Sequence, residues 1–205
     1  MSDRTVKTII VTGVPGVGKT TVINELSSLL KQRGTEFLIA NFGDYMLKRA
    51  ISDGLVLSRD QIRRLSHRVQ IKLQQMAARD ISERAKEVLR NGGILLVDTH
   101  AIVKTSSGLW PGLPGHVVSE LFPDVIVVIE APPEEILRRQ LEDSTRNRKD
   151  IQERGIEEIR DLMAFARTAA ISSAVLVGAS VLYVENERGK AKDAAESILR
   201  VIDTI

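Results

Sequence analysis

The chain has 205 residues, enough for one domain whose core needs no covalent staples. Its 43% hydrophobic and 27% charged content excludes a disordered or collagen-like chain, and the absence of cysteine excludes disulfides, thiolate catalysis and cysteine zinc sites. With 29 basic and 27 acidic residues the net charge is only +2, and aromatics make up 3%, so neither a basic field nor a stacking platform for nucleic acid is present.

In chain order, short β-branched runs alternate with stretches of helical spacing. Strands are predicted near Thr8–Thr12, Glu36–Ala40, Gly93–Asp98, Asp124–Glu130 and Ser180–Glu185. Helices are predicted near Lys19–Arg33, Asp44–Ser52, Arg59–Arg90, Pro133–Asp143, Gly155–Ala174 and Lys190–Ile202. The long helix rests on the apolar stripe Ile62, Leu65, Val69, Leu73 and Met76 and ends at Gly92-Gly93. Strands as apolar as Ile94–Val97 suit a parallel sheet covered on both faces, so the expected class is a doubly wound α/β fold. Two stretches break the rhythm and read as loops, Ser106–Gly115 and Ser144–Asp150. His67, His100 and His116 are scattered, which argues against a histidine metal cage. No apolar run approaches the ~18 residues of a membrane span, and the first residues lack a signal-peptide stretch, so a cytoplasmic protein without membrane partners is expected.

The strongest signal is Gly13-Val14-Pro15-Gly16-Val17-Gly18-Lys19-Thr20, which fits G-x-x-x-x-G-K-[ST] between a predicted strand and a predicted helix. Glycines let backbone N–H groups approach phosphate oxygens, and the helix that follows adds its own unpaired N–H groups and dipole. Lys19 supplies a mobile cation for the β- and γ-phosphates, and Thr20 a hydroxyl for Mg²⁺. The run Ile94–Val97 ends in Asp98, a second candidate for Mg²⁺, acting through its water. The loop implies a nucleoside triphosphate such as ATP, but not what is done with it.

A GTPase switch would show D-x-x-G after the strand, whereas Thr99-His100-Ala101 follows Asp98. A motor or transport ATPase usually carries coupling elements in a longer chain. A kinase for a small substrate must instead keep water from the phosphoryl group, with a cover that brings cations over the phosphates. Arg138, Arg139, Arg146, Arg148 and Lys149 cluster with only Glu142 and Asp143 against them, as such a cover would need. A P-loop switch or an ATPase subunit acting through a partner remains the alternative from another class.

Several segments resemble the archaeal-type adenylate kinases, in order along essentially the whole chain. They are the phosphate loop through Thr21, Asn41-Phe42-Gly43-Asp44, Arg59-Asp60-Gln61-Ile62-Arg63, Asp98-Thr99-His100-Ala101, Gly112-Leu113-Pro114 and Thr145-Arg146-Asn147-Arg148. The resemblance implies a P-loop nucleoside monophosphate kinase fold, with a five-stranded parallel sheet of order 2-3-1-4-5, helices on both faces and a short lid. It implies one domain over residues 1–205, with a monophosphate-binding segment at about 41–90 and the lid at about 143–152. The implied reaction is ATP + AMP ⇌ 2 ADP with Mg²⁺; a kinase for another nucleoside monophosphate is the alternative among enzymes.

The resemblance implies that Gly13, Val14, Pro15, Gly16, Val17, Gly18, Lys19, Thr20 and Thr21 bind ATP. It implies that Asn41, Gly43, Asp44, Met46, Arg63, Asp98, Leu113 and Pro114 serve AMP, and that Thr20 and Asp98 serve the metal. Catalysis would fall to Lys19, Arg139, Arg146, Arg148 and Arg167. A homo-oligomer, a trimer by the same resemblance, is expected. Two arginines of the common family pattern are missing: Lys104 and Arg49 are the nearest basic residues. His100, two residues after Asp98, is a structural hydrogen-bonding residue or one that touches phosphate or base, and Trp110 is a loop anchor or a nucleotide-facing wall; the structural reading is preferred for both.

Overall fold

A computed structural model gives the fold for residues 6–105, 108–142 and 155–205, without the Asp60 side chain. The expected lid, with Arg146 and Arg148, lies outside the described residues. In chain order the elements are β1 (Val6–Thr12), α1 (Lys19–Gln32), β2 (Phe37–Asn41), α2 (Phe42–Ser52), α3 (Arg59–Ile62), α4 (His67–Val88), β3 (Gly93–Asp98), β4 (Ile102–Thr105), β5 (Gly108–Pro111), α5 (Gly115–Leu121), β6 (Val125–Glu130), α6 (Pro133–Glu142), α7 (Ile156–Val177), β7 (Ser180–Glu185) and α8 (Ala191–Ile202).

Five strands form one parallel sheet in the order β2-β3-β1-β6-β7. Counted among themselves these strands run 2-3-1-4-5, as the resemblance implied; the hairpin β4-β5 stands apart and only shifts the labels. All of β6 and Ile94–Val97 of β3 are buried, because side chains alternate between two covered faces. On one face Ile9, Val11, Leu96 and Val127 pack under Val22 and Leu26 of α1 and Ile198 of α8. On the other, Ile10, Leu95, Val97 and Ile126 pack under Ala77 and Ile81 of α4, Val118 of α5 and Ala170 of α7. A smaller cluster of Ala50, Val56, Ile62 and Leu73 holds α2, α3 and α4 together.

Two sequence expectations are corrected. The single helix over Arg59–Arg90 is two helices, α3 and α4, because Ser66 takes an extended ψ of 150° and starts α4. The apolar stripe is real: Ile62 and Leu73 meet in the small cluster from opposite sides of the break. The stretch Ser106–Gly115 is not a plain loop. It contributes β5, which pairs antiparallel with β4 with Val103 opposite Trp110, and it leads into α5. Gly112 permits this turn, since a Cβ there would lie 1.8 Å from the His100 carbonyl oxygen. Among the described residues no helix is long and apolar enough to cross a membrane.

Candidate active site

The phosphate loop joins β1 to α1 at the C-terminal edge of the sheet, where open α/β sheets bind ligands. Gly16 and Gly18 have φ of 89° and 91°, a region that disfavours residues bearing a Cβ. Side chains from distant elements tie the loop's carbonyls. His100 Nδ1 lies 2.8 Å from Gly13 O. Gln140 Nε2 donates to Pro15 O at 2.6 Å. Arg139 Nη1 and Asn186 Nδ2 both donate to Val17 O at 2.9 Å. With these carbonyls held outward, the loop presents amide N–H groups to a phosphate chain.

Lys19 Nζ lies 3.7 Å from Asp98 Oδ1 at the end of β3, with both side chains largely buried. Asn41 Nδ2 donates to Asp98 Oδ2 at 2.9 Å. Asn41 is also the N-cap of α2, where its Oδ1 accepts from Asp44 N at 3.2 Å and from Arg59 Nη2 at 3.0 Å. A continuous polar chain therefore runs from Lys19 through Asp98 and Asn41 to Arg59. Arg59 lies across Gly43, where a Cβ would come within 2.3 Å of its Nη2.

Beside this chain opens a pocket between α2, α3, α4 and the β4-β5 hairpin. Of the expected AMP residues, Asn41, Gly43, Met46, Arg63 and Asp98 line it. Asp44, Leu113 and Pro114 lie outside that lining: Asp44 pairs with Arg59, Leu113 is 2% exposed in the core, and Pro114 is the N-cap of α5. The pocket gains Arg59, Gln70 and Gln74, to which sequence reasoning gave no binding role, and takes in His100 and Trp110, which it read first as structural. Trp110 leans on His67, ring centroids 4.7 Å apart, so it anchors the hairpin and walls the pocket at once. Lys104 pairs with Glu158, and Arg49 with Asp53 and Asp80. Of the arginines and lysines described, Arg59, which also pairs with Asp44, and Arg63 are the ones that line this pocket and can meet an anion there.

The other expected arginines are placed differently. Arg139 braces the phosphate loop, with its Nε on Glu135 Oε1 at 2.8 Å and its Nη2 on Asn186 O at 3.2 Å. Bonds from Arg138 and then Arg139 hold the Glu135 carboxyl down at about 2. Arg167 forks onto the buried carboxylate of Glu130 and lies 5.7 Å from the centre of the Tyr183 ring. The hydrogen bond to Glu130 raises its pKa further. Thr20 at the start of α1 and Asp98 at the end of β3 are a hydroxyl and a carboxylate that could hold a magnesium ion. No group of three or more His, Cys, Asp or Glu that could hold a metal ion occurs among the described residues. That donor set suits a cation that keeps several waters and takes phosphate oxygens as ligands.

Residues 12–160 match the family model for an AAA domain. An adenylate kinase of Saccharolobus solfataricus is 47% identical over 190 residues, covering 93% of this chain and 96% of that one. An adenylate kinase of Methanocaldococcus jannaschii is 41% identical over 196 residues, covering 96% and 98%. Among solved structures, a shikimate kinase from Bacteroides thetaiotaomicron superposes with a TM-score of 0.55 at 13% identity, covering 96% of this chain and 98% of that one. A protein of Thermus thermophilus superposes with a TM-score of 0.57 at 15% identity, covering 98% of each chain. At such identities these two structures speak for the fold alone.

Proposed function

The chain belongs to the adenylate kinase family, and from that premise we propose how its residues carry the γ-phosphoryl group of ATP to AMP, giving two ADP. The observation that carries the reading is a shared wall. His100 lines the pocket beside α2 while its Nδ1 touches Gly13 O of the phosphate loop, and Asp98 lines the same pocket while pairing with Lys19. A donor phosphate chain on the loop and an acceptor phosphate at Arg59 and Arg63 would then meet at Lys19.

In this reading the loop amides and Lys19 hold the β- and γ-phosphates, while Arg59 and Arg63 bring the AMP phosphate into line. An AMP phosphate oxygen forms the new P–O bond as the bond from the γ-phosphorus to the β-phosphate oxygen breaks. The acceptor is already an anion, so the step asks for charge neutralisation rather than a general base. Thr20 and Asp98 would hold a magnesium ion, which would supply positive charge to offset that of the phosphates. Arg139 acts from behind the loop by fixing Val17. Arg146 and Arg148 are assigned to a short lid over the phosphates by resemblance, and Arg167 to the neighbourhood of the two phosphate chains. Residues of about 41–90 form the monophosphate-binding segment of a single domain. The protein works in the cytoplasm as a homo-oligomer, a trimer by family resemblance. The apolar side chains Phe165, Ile171, Val175 and Leu176, exposed along α7, support self-association.

The test is purified protein with ATP, Mg²⁺ and each nucleoside monophosphate in turn. Fast ADP formation with AMP, and little ATP hydrolysis without an acceptor, is expected. ADP formation that ignores AMP would overturn the reading.

A further inference from the structure

Strands β2 and β3 end side by side, with Asn41 opposite Asp98 in the parallel register. Residues in register project to the same face of a sheet, so the amide of one meets the carboxylate of the other. Asn41 Nδ2 donates to Asp98 Oδ2 at 2.9 Å. Its Oδ1 accepts from Asp44 N at 3.2 Å and from Arg59 Nη2 at 3.0 Å. An ionised carboxylate only accepts and a guanidinium only donates, so these partners fix which way the amide points. Both lone pairs of the oxygen are in use, and the nitrogen is committed to Asp98.

Each of these partners leads to a different site. Asp98 Oδ1, the oxygen that Asn41 leaves open, lies 3.7 Å from Lys19 Nζ on the donor side. Arg59 lines the acceptor pocket and rests across Gly43 in the first turn of α2. Capping α2 uses the oxygen of Asn41 alone, and a serine hydroxyl would cap as well. The nitrogen is not needed for the cap, and it is the nitrogen that reaches Asp98.

Resting on the adenylate kinase reading, we infer that Asn41 is a positioning residue that sets the two phosphate sites against each other. One planar amide holds the Asp98 carboxylate beside Lys19 with its nitrogen, and Arg59 beside the acceptor phosphate with its oxygen. In-line transfer tolerates little error in the placement of donor and acceptor, and a rigid bridge between their contacts limits that error.

The test removes the bridge and keeps the cap. Asn41→Ser retains a hydroxyl for Asp44 N but is too short to span Asp98 and Arg59. Its kcat should fall about tenfold or more, and its KM for AMP should rise several-fold. Its melting temperature should stay near that of wild type. Asn41→Ala, which loses the cap as well, should melt lower yet show the same kinetics as Asn41→Ser. In an Arg59→Ala background, Asn41→Ser should leave KM for AMP where Arg59→Ala put it, while kcat still falls through Asp98. Wild-type kinetics in Asn41→Ser would reduce Asn41 to a helix cap and overturn the inference. Multiplying effects of the two substitutions on KM would show Asn41 touching AMP itself, and would overturn it too. Asn41→Thr, a second capping replacement, is read by the same criteria should Asn41→Ser not fold. A wild-type protein that turns over ATP but ignores AMP would instead sink the adenylate kinase reading.

Discussion

Lys19 carries the only cationic side chain within the phosphate loop, and its Nζ lies 3.7 Å from Asp98 Oδ1. Lys19→Ala should lower kcat by about a hundredfold or more, since a charge contact made in the transition state is worth about 3–4 kcal/mol. The fold should survive, because the loop's carbonyls are tied by other side chains; a melting curve beside the kinetics separates the two. Gly112 makes the opposite kind of contribution. Gly112→Ala would force a Cβ to within 1.8 Å of the His100 carbonyl oxygen. The hairpin must then shift, at a cost of about 1–3 kcal/mol. The variant should melt lower, and its KM for AMP should rise more than its KM for ATP. A change confined to Tm would show that the hairpin does not shape the pocket. At this scale the sequence announced Lys19, Asp98, Asn41 and Arg63 through motifs. It did not announce Gln70 and Gln74, which on a helix look like ordinary polar positions. Their place in the pocket wall is set by bonds to Leu65 O and Pro111 O, and the one to Pro111 joins residues far apart in the chain. Leu113 and Pro114 sit in a motif yet serve the core and a helix cap.

The break between α3 and α4 shapes the monophosphate side. Gln61 Oε1 accepts from Leu57 N at 2.6 Å and Ser58 N at 3.2 Å, closing the start of α3. Gln61→Ala should loosen that turn by about 1 kcal/mol and move Arg59 and Arg63. KM for AMP should rise several-fold while KM for ATP stays put; equal changes in both would show that α3 is not a separate positioning element. The five sheet strands were legible because buried parallel strands read as continuous apolar runs. The break was not, because Ile62, Leu65, Val69 and Leu73 keep helical spacing straight through Ser66. Only the extended backbone at Ser66 divides a stripe that a single helix would present equally well. Strands β4 and β5 escaped for a different reason: four residues each carry too little alternation to register, and β5 itself holds Gly108 and Pro111.

At the scale of the whole molecule, the phosphate loop depends on charges outside it. Glu135 is gripped by Arg138 and Arg139, and Arg139 in turn grips Val17 O. The hydrogen bonds from Arg138 and Arg139 hold its carboxyl down at about 2, below its ordinary 4.5, so folding favours its ionised form. That contribution is complete above about 4.5 and is lost as pH falls toward about 2. Glu135→Gln should therefore flatten the acid limb of Tm against pH in that window and leave the neutral side parallel to wild type. An unchanged acid limb would remove Glu135 from the account. The Asn186 side chain, on the turn after β7, bonds to Val17 O, 169 positions away. A ribosome therefore delivers the glycine-rich loop long before this one of its fasteners. Until β7 and the turn beyond it have emerged, the nascent chain holds a loop tied by His100, Arg139 and Gln140 but still short of its bond from Asn186 to Val17 O.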